Sequence, residues 1–209
     1  GSYMPCFLVG EGQGRALAAV LGVPFYPCSH QQGHIAAAAW SAGRADLMDT
    51  PHLAWHLSGG TTELLYVRPE GCSVRAELIG GTSDISAGQL VDRVGVSLGL
   101  DFPAGKVMDA MSRQSERSER FKVKLQGRTF SLSGMENKLK AMAEKGAPPA
   151  DVARFTFETL ASILERATQA AKEEFGDLPV LCSGGVASNT LLRQRLEPLG
   201  AILAPLRYS

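Results

Sequence analysis

The chain reads as an α/β protein. Three observations predict this. Short apolar runs of strand type alternate with longer stretches of helical spacing along the whole sequence. A Gly-Gly junction between two apolar runs marks a β-hairpin at residues 52–67. A second Gly-Gly, at residues 184–185, follows a buried-type strand and precedes a helix.

Taken in order, residues 6–9 form a short apolar run and predict a strand. Residues 14–21 carry Ala and Leu at helical spacing, with Gly22 as a helix stop, and residues 23–26 predict a second strand. An Ala-rich helix follows over residues 32–42. The Asp49-Thr50-Pro51 break predicts a boundary between two lobes, 1–48 and 49–209. Strands are expected at 52–58, 63–67 and 73–79. A helix is expected over 86–98, with Leu90, Val94 and Leu98 on one face. After a loop at 102–105, a helix begins near Val107. Residues 112–124 are highly charged and predict a solvated surface. A short element at 130–134 leads into a helix over 135–145. Residues 148–175 are amphipathic over a long span, closed by Gly176. A strand at 179–182, a helix from about 187 to 196, and a last strand at 200–204 complete the pattern.

Composition limits the function. The 209 residues are 44% hydrophobic, enough for a packed core. Lys+Arg and Asp+Glu both number 21, so no global basic field attracts a polyanion; nucleic-acid binding would need a local patch or a partner. Cys6, Cys28, Cys72 and Cys182 are scattered without a CxxC pair, which predicts reduced thiols rather than a disulfide framework. No apolar run reaches the length of a membrane span.

Four sites carry candidate chemistry. In His30-Gln31-Gln32-Gly33-His34 two imidazoles at i and i+4 fall on one helix face, where they can share a metal ion or simply cap a helix. A zincin protease is disfavoured, because Gln31 cannot serve as the general base. Ser58-Gly59-Gly60-Thr61-Thr62 lets backbone N–H groups approach a phosphate, or is an ordinary hairpin turn. The junction from Ser183 to Asn189 puts a helix start beside a ligand, or is a tight turn with Ser188 or Asn189 as cap. Asp84, Asp92 and Phe102-Pro103-Ala104-Gly105 make the fourth, in which Asp92, off the Leu90/Val94 stripe, can bind ribose hydroxyls or be a solvated acid. Two apparent phosphate motifs fail. Residues 10–14 lack the third glycine, where Arg15 stands, and Val107 replaces the hydroxyl residue that a phosphate loop needs after Lys106.

The order of these motifs is more specific than any one of them. His-x-x-Gly-His is followed by Ser-Gly-Gly-x-Thr-x-Leu, Asp-x-x-Ala-Gly-x-x-x-Asp-Arg-Val, Pro-x-Gly, Phe-Ser-x-Ser-Gly and Gly-Gly-Val-x-x-Asn. This series, from Val9 to Ser209, resembles the tRNA N6-adenosine threonylcarbamoyltransferase family, once labelled O-sialoglycoprotein endopeptidases. The resemblance implies the actin-like ATPase fold of sugar kinases and heat-shock ATPases, with two RNase-H-like lobes and the N-terminal lobe incomplete. It implies that His30 and His34 bind one divalent metal ion, iron or zinc. It places His56, Leu57, Ser58, Gly59 and Gly60 against an acyl-adenylate, Asp92 on ribose, Gly105 against the nucleoside and Asn189 at the adenine. The implied reaction moves a threonylcarbamoyl group from threonylcarbamoyl-AMP to tRNA. The implied setting is cytoplasmic, off the membrane, in a complex with partner subunits or as a homodimer. The same resemblance leaves room for a non-catalytic scaffold paralog and for a kinase-like relative binding ATP or AMP and acting on another acceptor.

The chain departs from the family's usual pattern. Gln32 stands where Glu is usual, Thr61 where His is usual, Ile85 where a second acid is frequent, and Gln89 where Glu is usual. By the same comparison a phosphate-loop hairpin is expected before this chain, and a further metal-ligand Asp just beyond Tyr208-Ser209.

Overall fold

A computed structural model describes residues 4–204. Tyr208 and Ser209, beside which a further ligand is expected, lie outside the described residues. Its centre is a six-stranded mixed sheet of β1 (His52–Leu57), β2 (Thr62–Glu70), β3 (Ser73–Thr82), β4 (Thr129–Phe130), β5 (Val180–Ser183) and β6 (Ala201–Leu203), in the order β4-β3-β2-β1-β5-β6. β1, β2 and β3 form an antiparallel meander, and β1, β5 and β6 run parallel. The α/β prediction holds.

Alternation along the central strands divides the core between the two faces. Leu53, Trp55 and Leu57 of β1, with Val180 and Cys182 of β5, point into the larger core, while Ala54 and Leu181 point into the smaller one. The larger core is roofed by α3 (Ala87–Ser97), α4 (Gly105–Ser112), α5 (Ser133–Glu144), α6 (Pro149–Phe175) and α7 (Thr190–Leu196). Trp55 is fully buried there and donates its indole N–H to Thr168 Oγ1 at 2.9 Å. The opposite face is covered by α2 (His30–Ser41), which lays Ile35, Ala38 and Ala39 on the sheet with Leu47 of a 3₁₀ turn. The functional consequence is that α2 sits across the sheet from the helices that follow β1.

The two strands expected at 6–9 and 23–26 are absent. α1 (Met4–Leu21) is one continuous helix, and residues 23–29 have no regular structure. A short apolar run has no period of its own. The helix formers from Glu11 to Leu21, with the i,i+4 ion pair Arg15–Glu11, carry the helix upstream through Gly10, Gly12 and Gly14. The stop at Gly22, at φ 66°, is as expected. The helix expected from 187 begins later. A 3₁₀ turn occupies Gly185–Ser188, and Asn189 caps α7, accepting from Leu192 N at 3.0 Å.

The stretch 112–124 is only half solvated. Lys122 and Lys124 are exposed, but Phe121, Val123 and Leu125 pack against the larger core.

Candidate nucleotide and metal site

β1 and β5 are parallel neighbours and end side by side, with His56 opposite Ser183. Both run straight into glycine-rich loops. Ligand crevices in α/β sheets form at such carboxyl ends.

The first loop is a tight turn. Ser58 N donates to Thr61 O at 2.9 Å, and Ser58 Oγ accepts from Gly60 N and Thr61 N. α3 then locks it in place. Ser86 Oγ donates to Gly59 O at 2.6 Å, and Ala87 N donates to Thr62 Oγ1 at 2.7 Å. The hydroxyls of Ser58, Thr61 and Thr62 therefore shape the turn. Gly88 is the contact point, because a Cβ there would meet Gly59 Cα at 2.5 Å and Ser58 O at 2.6 Å.

A cavity of about 530 Å³ opens between this loop, α3, α4 and the 184–189 junction. Gly59, Asp92, Gly105 and Asn189 all line it, so four of the expected adenylate residues meet there. Gly59, Gly105 and Gly185 have open space where a Cβ would stand. Backbone is thus presented bare to the cavity, as a nucleotide phosphate or a flat base requires. Asp92 also does structural work, since its Oδ1 accepts from Ala104 N at 2.9 Å and fixes the 102–105 loop. Asn189 is 5% exposed, and Asp109 Oδ1 accepts its Nδ2 proton at 2.6 Å.

The other expected residues lie elsewhere. Leu57 is fully buried in the larger core and can offer a ligand only backbone. Ser58 and Gly60 form the turn behind Gly59. The His56 ring lies in a small cavity beneath α2, lined also by His30, His34, Thr61, Glu63 and Ser183.

In that cavity His30 Nε2 and His34 Nε2 are 2.9 Å apart. Two imidazole nitrogens so close share either one proton or one cation. Burial, then the neighbouring His30 charge, pushes the His34 pKa down and favours the neutral ring that a metal needs. The His34 and His56 ring centroids are 4.5 Å apart, and His56 Nδ1 is 3.2 Å from Ser183 Oγ. Among the described residues no group of three or more His, Cys, Asp or Glu is arranged to hold a metal ion. The histidine pair would supply two nitrogen donors to such an ion.

The sequence missed Asp109 and Glu63, and it placed Gly88 in a motif without giving it a role. Asp109, one turn after Gly105, accepts from Asn189, from Thr190 N and Oγ1, and from Arg113. Glu63 accepts from Gln31 Nε2 at 3.3 Å beside the histidines. Lys106, dismissed as part of a failed phosphate loop, nevertheless lines the larger cavity as a cation.

Two of the unusual residues now have a physical account. Gln32 Oε1 accepts from Ser29 N at 2.6 Å, and Gln89 Oε1 accepts from Ser86 N at 3.1 Å. Each is the third residue of a capping box, where Gln serves as Glu does. Replacing the acid there keeps the helix start and removes a charge. Ile85 N donates to Asp84 Oδ1, and its side chain packs on the larger core.

A third cavity, of about 410 Å³, lies between α2 and the 182–187 segment. Cys182 borders it but is 1% exposed. Burial pushes this thiol up to about 12, against the weaker pull of Arg193. At pH 8 a disulfide reagent is expected to titrate the exposed Cys6, Cys28 and Cys72 rapidly, and Cys182 only after unfolding. Four fast thiols would refute the burial. Because burial holds this thiol above its ordinary value, Cys182 favours the fold below about pH 9, and that contribution fades as pH climbs toward 12.

Comparison with known proteins gives a family. A family described as "TsaD: tRNA N6-adenosine threonylcarbamoyltransferase" matches residues 1–209. Curated relatives of that name from two strains of Thermus thermophilus are 38% identical over 197 residues, covering 92% of this chain and 58% of theirs. One from Carboxydothermus hydrogenoformans is 34% identical over 198 residues, with the same coverage. The chain therefore spans 58% of the length of these relatives. Among solved structures, full-length HypF matches with a TM-score of 0.68 at 15% identity, over 85% of this chain and 38% of that one. HypF of T. kodakarensis matches at 0.64 and 16%, over 91% and 36%. These two likenesses concern the fold. The actin-like ATPase class stands.

Proposed function

The chain belongs to the tRNA N6-adenosine threonylcarbamoyltransferase family, and we propose that it carries the adenylate half of such a reaction, in which threonylcarbamoyl-AMP donates its acyl group to N6 of the adenosine 3′ of a tRNA anticodon. The observation that carries this reading is the convergence of Gly59, Asp92, Gly105 and Asn189 on one cavity. These residues come from four separate segments, and the cavity is of ordinary ligand size.

The residues divide the work. Gly59, Gly105 and Gly185 give the nucleotide close access to backbone. Asp92 offers its second carboxylate oxygen to the ribose hydroxyls, and Lys106 offers a cation to the phosphate. In the transfer, the amine nitrogen attacks the carbamoyl carbon, the bond from that carbon to the phosphate oxygen breaks, AMP leaves with the electron pair, and the nitrogen gives up one proton to water. AMP is a good leaving group, so holding the two reactants in line supplies much of the rate. His30 and His34 would hold the divalent ion, which when bound polarises donor oxygens. Among the described residues no helix is long and apolar enough to cross a membrane.

The test is metal content and AMP binding in the full chain purified without chelator, for wild type and His30→Ala/His34→Ala. Stoichiometric iron or zinc in the wild type, absent from the double variant, with AMP bound by both, is the expected result. AMP binding with no metal in the wild type would move the reading to a kinase-like or scaffold relative. Binding of neither would overturn it.

A further inference from the structure

The segment between α4 and β4 is a two-faced strap along α6. Ser115 Oγ and Arg117 Nε both reach Asp151, in the first turn of α6. Phe121 N donates to Thr159 Oγ1 at 3.0 Å, and Arg166 Nη1 donates to Val123 O at 2.8 Å. Arg128 pairs with Glu174 near the far end of α6. The anchors follow α6 in order, from 151 to 174, a length of about 35 Å. Phe121, Val123 and Leu125 face inward, and the Phe121 ring lies 4.3 Å from that of Phe155, centroid to centroid.

Arg120, Lys122 and Lys124 alternate with these apolar residues and are exposed. Among the described residues none of the three makes an ion pair, whereas Arg113, Arg117 and Arg128 all do. Lys138 adds a cation, with Nζ 5.1 Å from the Phe121 ring centroid, and Arg166 adds another. The strap also carries the exposed acids Glu116 and Glu119, so its positive charge gathers in the stretch from Arg120 to Lys124, which holds three cations and no acid. The strap begins at the nucleotide cavity, where Arg113 donates to Asp109 and to Thr190.

We propose that the Arg120-Lys122-Lys124 ridge is the docking surface for the phosphate backbone of an RNA acceptor. A row of solvated cations on a fixed support neutralises successive phosphates without ordering a loop at the moment of binding. Its origin at the nucleotide cavity leads a bound strand toward the acyl donor. The proposal rests on the tRNA-modifying reading above.

The experiment is fluorescence anisotropy of a labelled anticodon stem-loop RNA against the full chain, over a range of salt. AMP binding is measured on the same samples. Arg120→Ala/Lys122→Ala/Lys124→Ala is expected to weaken RNA binding about tenfold or more, and to lower the slope of log K against log salt by about 2–3, three contacts at about 0.7–0.9 each. Its AMP affinity should not change, which shows that it is folded. The variant Arg120→Lys/Lys122→Arg/Lys124→Arg should bind RNA as the wild type does. An unchanged Kd and slope in the alanine variant would overturn the proposal. So would an equal loss in Arg68→Ala/Arg75→Ala, on the β2–β3 ribbon. If the wild type binds AMP but no RNA at low salt, the ridge proposal falls and the nucleotide reading stands. If it binds RNA through the ridge but no AMP, the reverse holds.

Discussion

Gly184→Ala is expected to destabilise the fold by about 3 kcal/mol or more, seen as a lower urea midpoint at unchanged slope. Gly184 has φ 95° and ψ 156°, a conformation open almost only to glycine. Space forbids the methyl as well. A Cβ at 184 would lie 2.2 Å from Leu57 O, 2.6 Å from Leu57 C and 3.1 Å from Ser58 N. All three are backbone atoms at the end of β1, so no side chain can swing away. Relief requires parting β1 from β5 where both enter their loops, and this junction frames the nucleotide and histidine cavities. Gly185→Ala is the matched control. Nothing lies within 4 Å of a Cβ at 185, and its φ is not in the left-handed region. That variant should melt as the wild type does while weakening AMP, because its methyl enters the ligand space. If both variants are equally stable, the close approach of the two strand ends is wrong.

Elements with a period of their own were legible in the sequence. β1 and β2 showed apolar runs around Gly59-Gly60, and register did the rest, pairing Leu57 with Thr62. α6 was legible because a helix of 27 residues repeats its pattern many times; Leu160, Ile163, Leu164 and Ala167 of the expected stripe are buried, whereas Phe155 is only partly buried and Phe157 takes the core position. The run at 6–9 had four residues and no period, and helix propensity downstream decided its fate. The motif glycines were legible for the same reason as hairpins, since glycine marks places where backbone must come close. Two kinds of placement stayed hidden. His56 lay beside a Ser-Gly-Gly motif in sequence, yet its ring lines the small cavity with His34 rather than the larger one that Gly59 lines. Asp109 carried only an exposed i,i+4 pairing with Arg113 as local signal, because the partners that join it to α7 are 80 and 81 residues away and partly backbone. Gln32 and Gln89 looked like lost charges, and only the capping geometry showed what was retained.

Asp109→Ala is expected to cost about 2–4 kcal/mol and to weaken AMP binding about tenfold or more. Asp109 lies on α4, and its carboxylate reaches across to the start of α7. It accepts from Asn189 Nδ2 at 2.6 Å, Thr190 N at 3.0 Å and Thr190 Oγ1 at 3.1 Å. Bonds to a charged acceptor contribute about 1.5–3 kcal/mol each, though they do not add in full when shared by one group. Alanine would leave the Asn189 amide, 5% exposed, without that acceptor. Asn189 also caps α7, so a turned amide loosens the helix start as well as the cavity wall. The fourth bond, from Arg113, is the least important, because that guanidinium is 55% exposed and an exposed pair contributes about 0–1 kcal/mol. Arg113→Ala should therefore leave both stability and AMP affinity close to wild type. Asp109→Asn separates the two roles of the carboxylate. It keeps the shape and one acceptor, so the fold should recover most of its stability. It loses the charge that sets the Asn189 donor and adds a donor facing Thr190, so AMP binding should recover less. A stable Asp109→Ala protein with unchanged AMP affinity would mean that Asn189 is not a wall of the nucleotide site, and that the ligand approaches from the histidine side of the sheet.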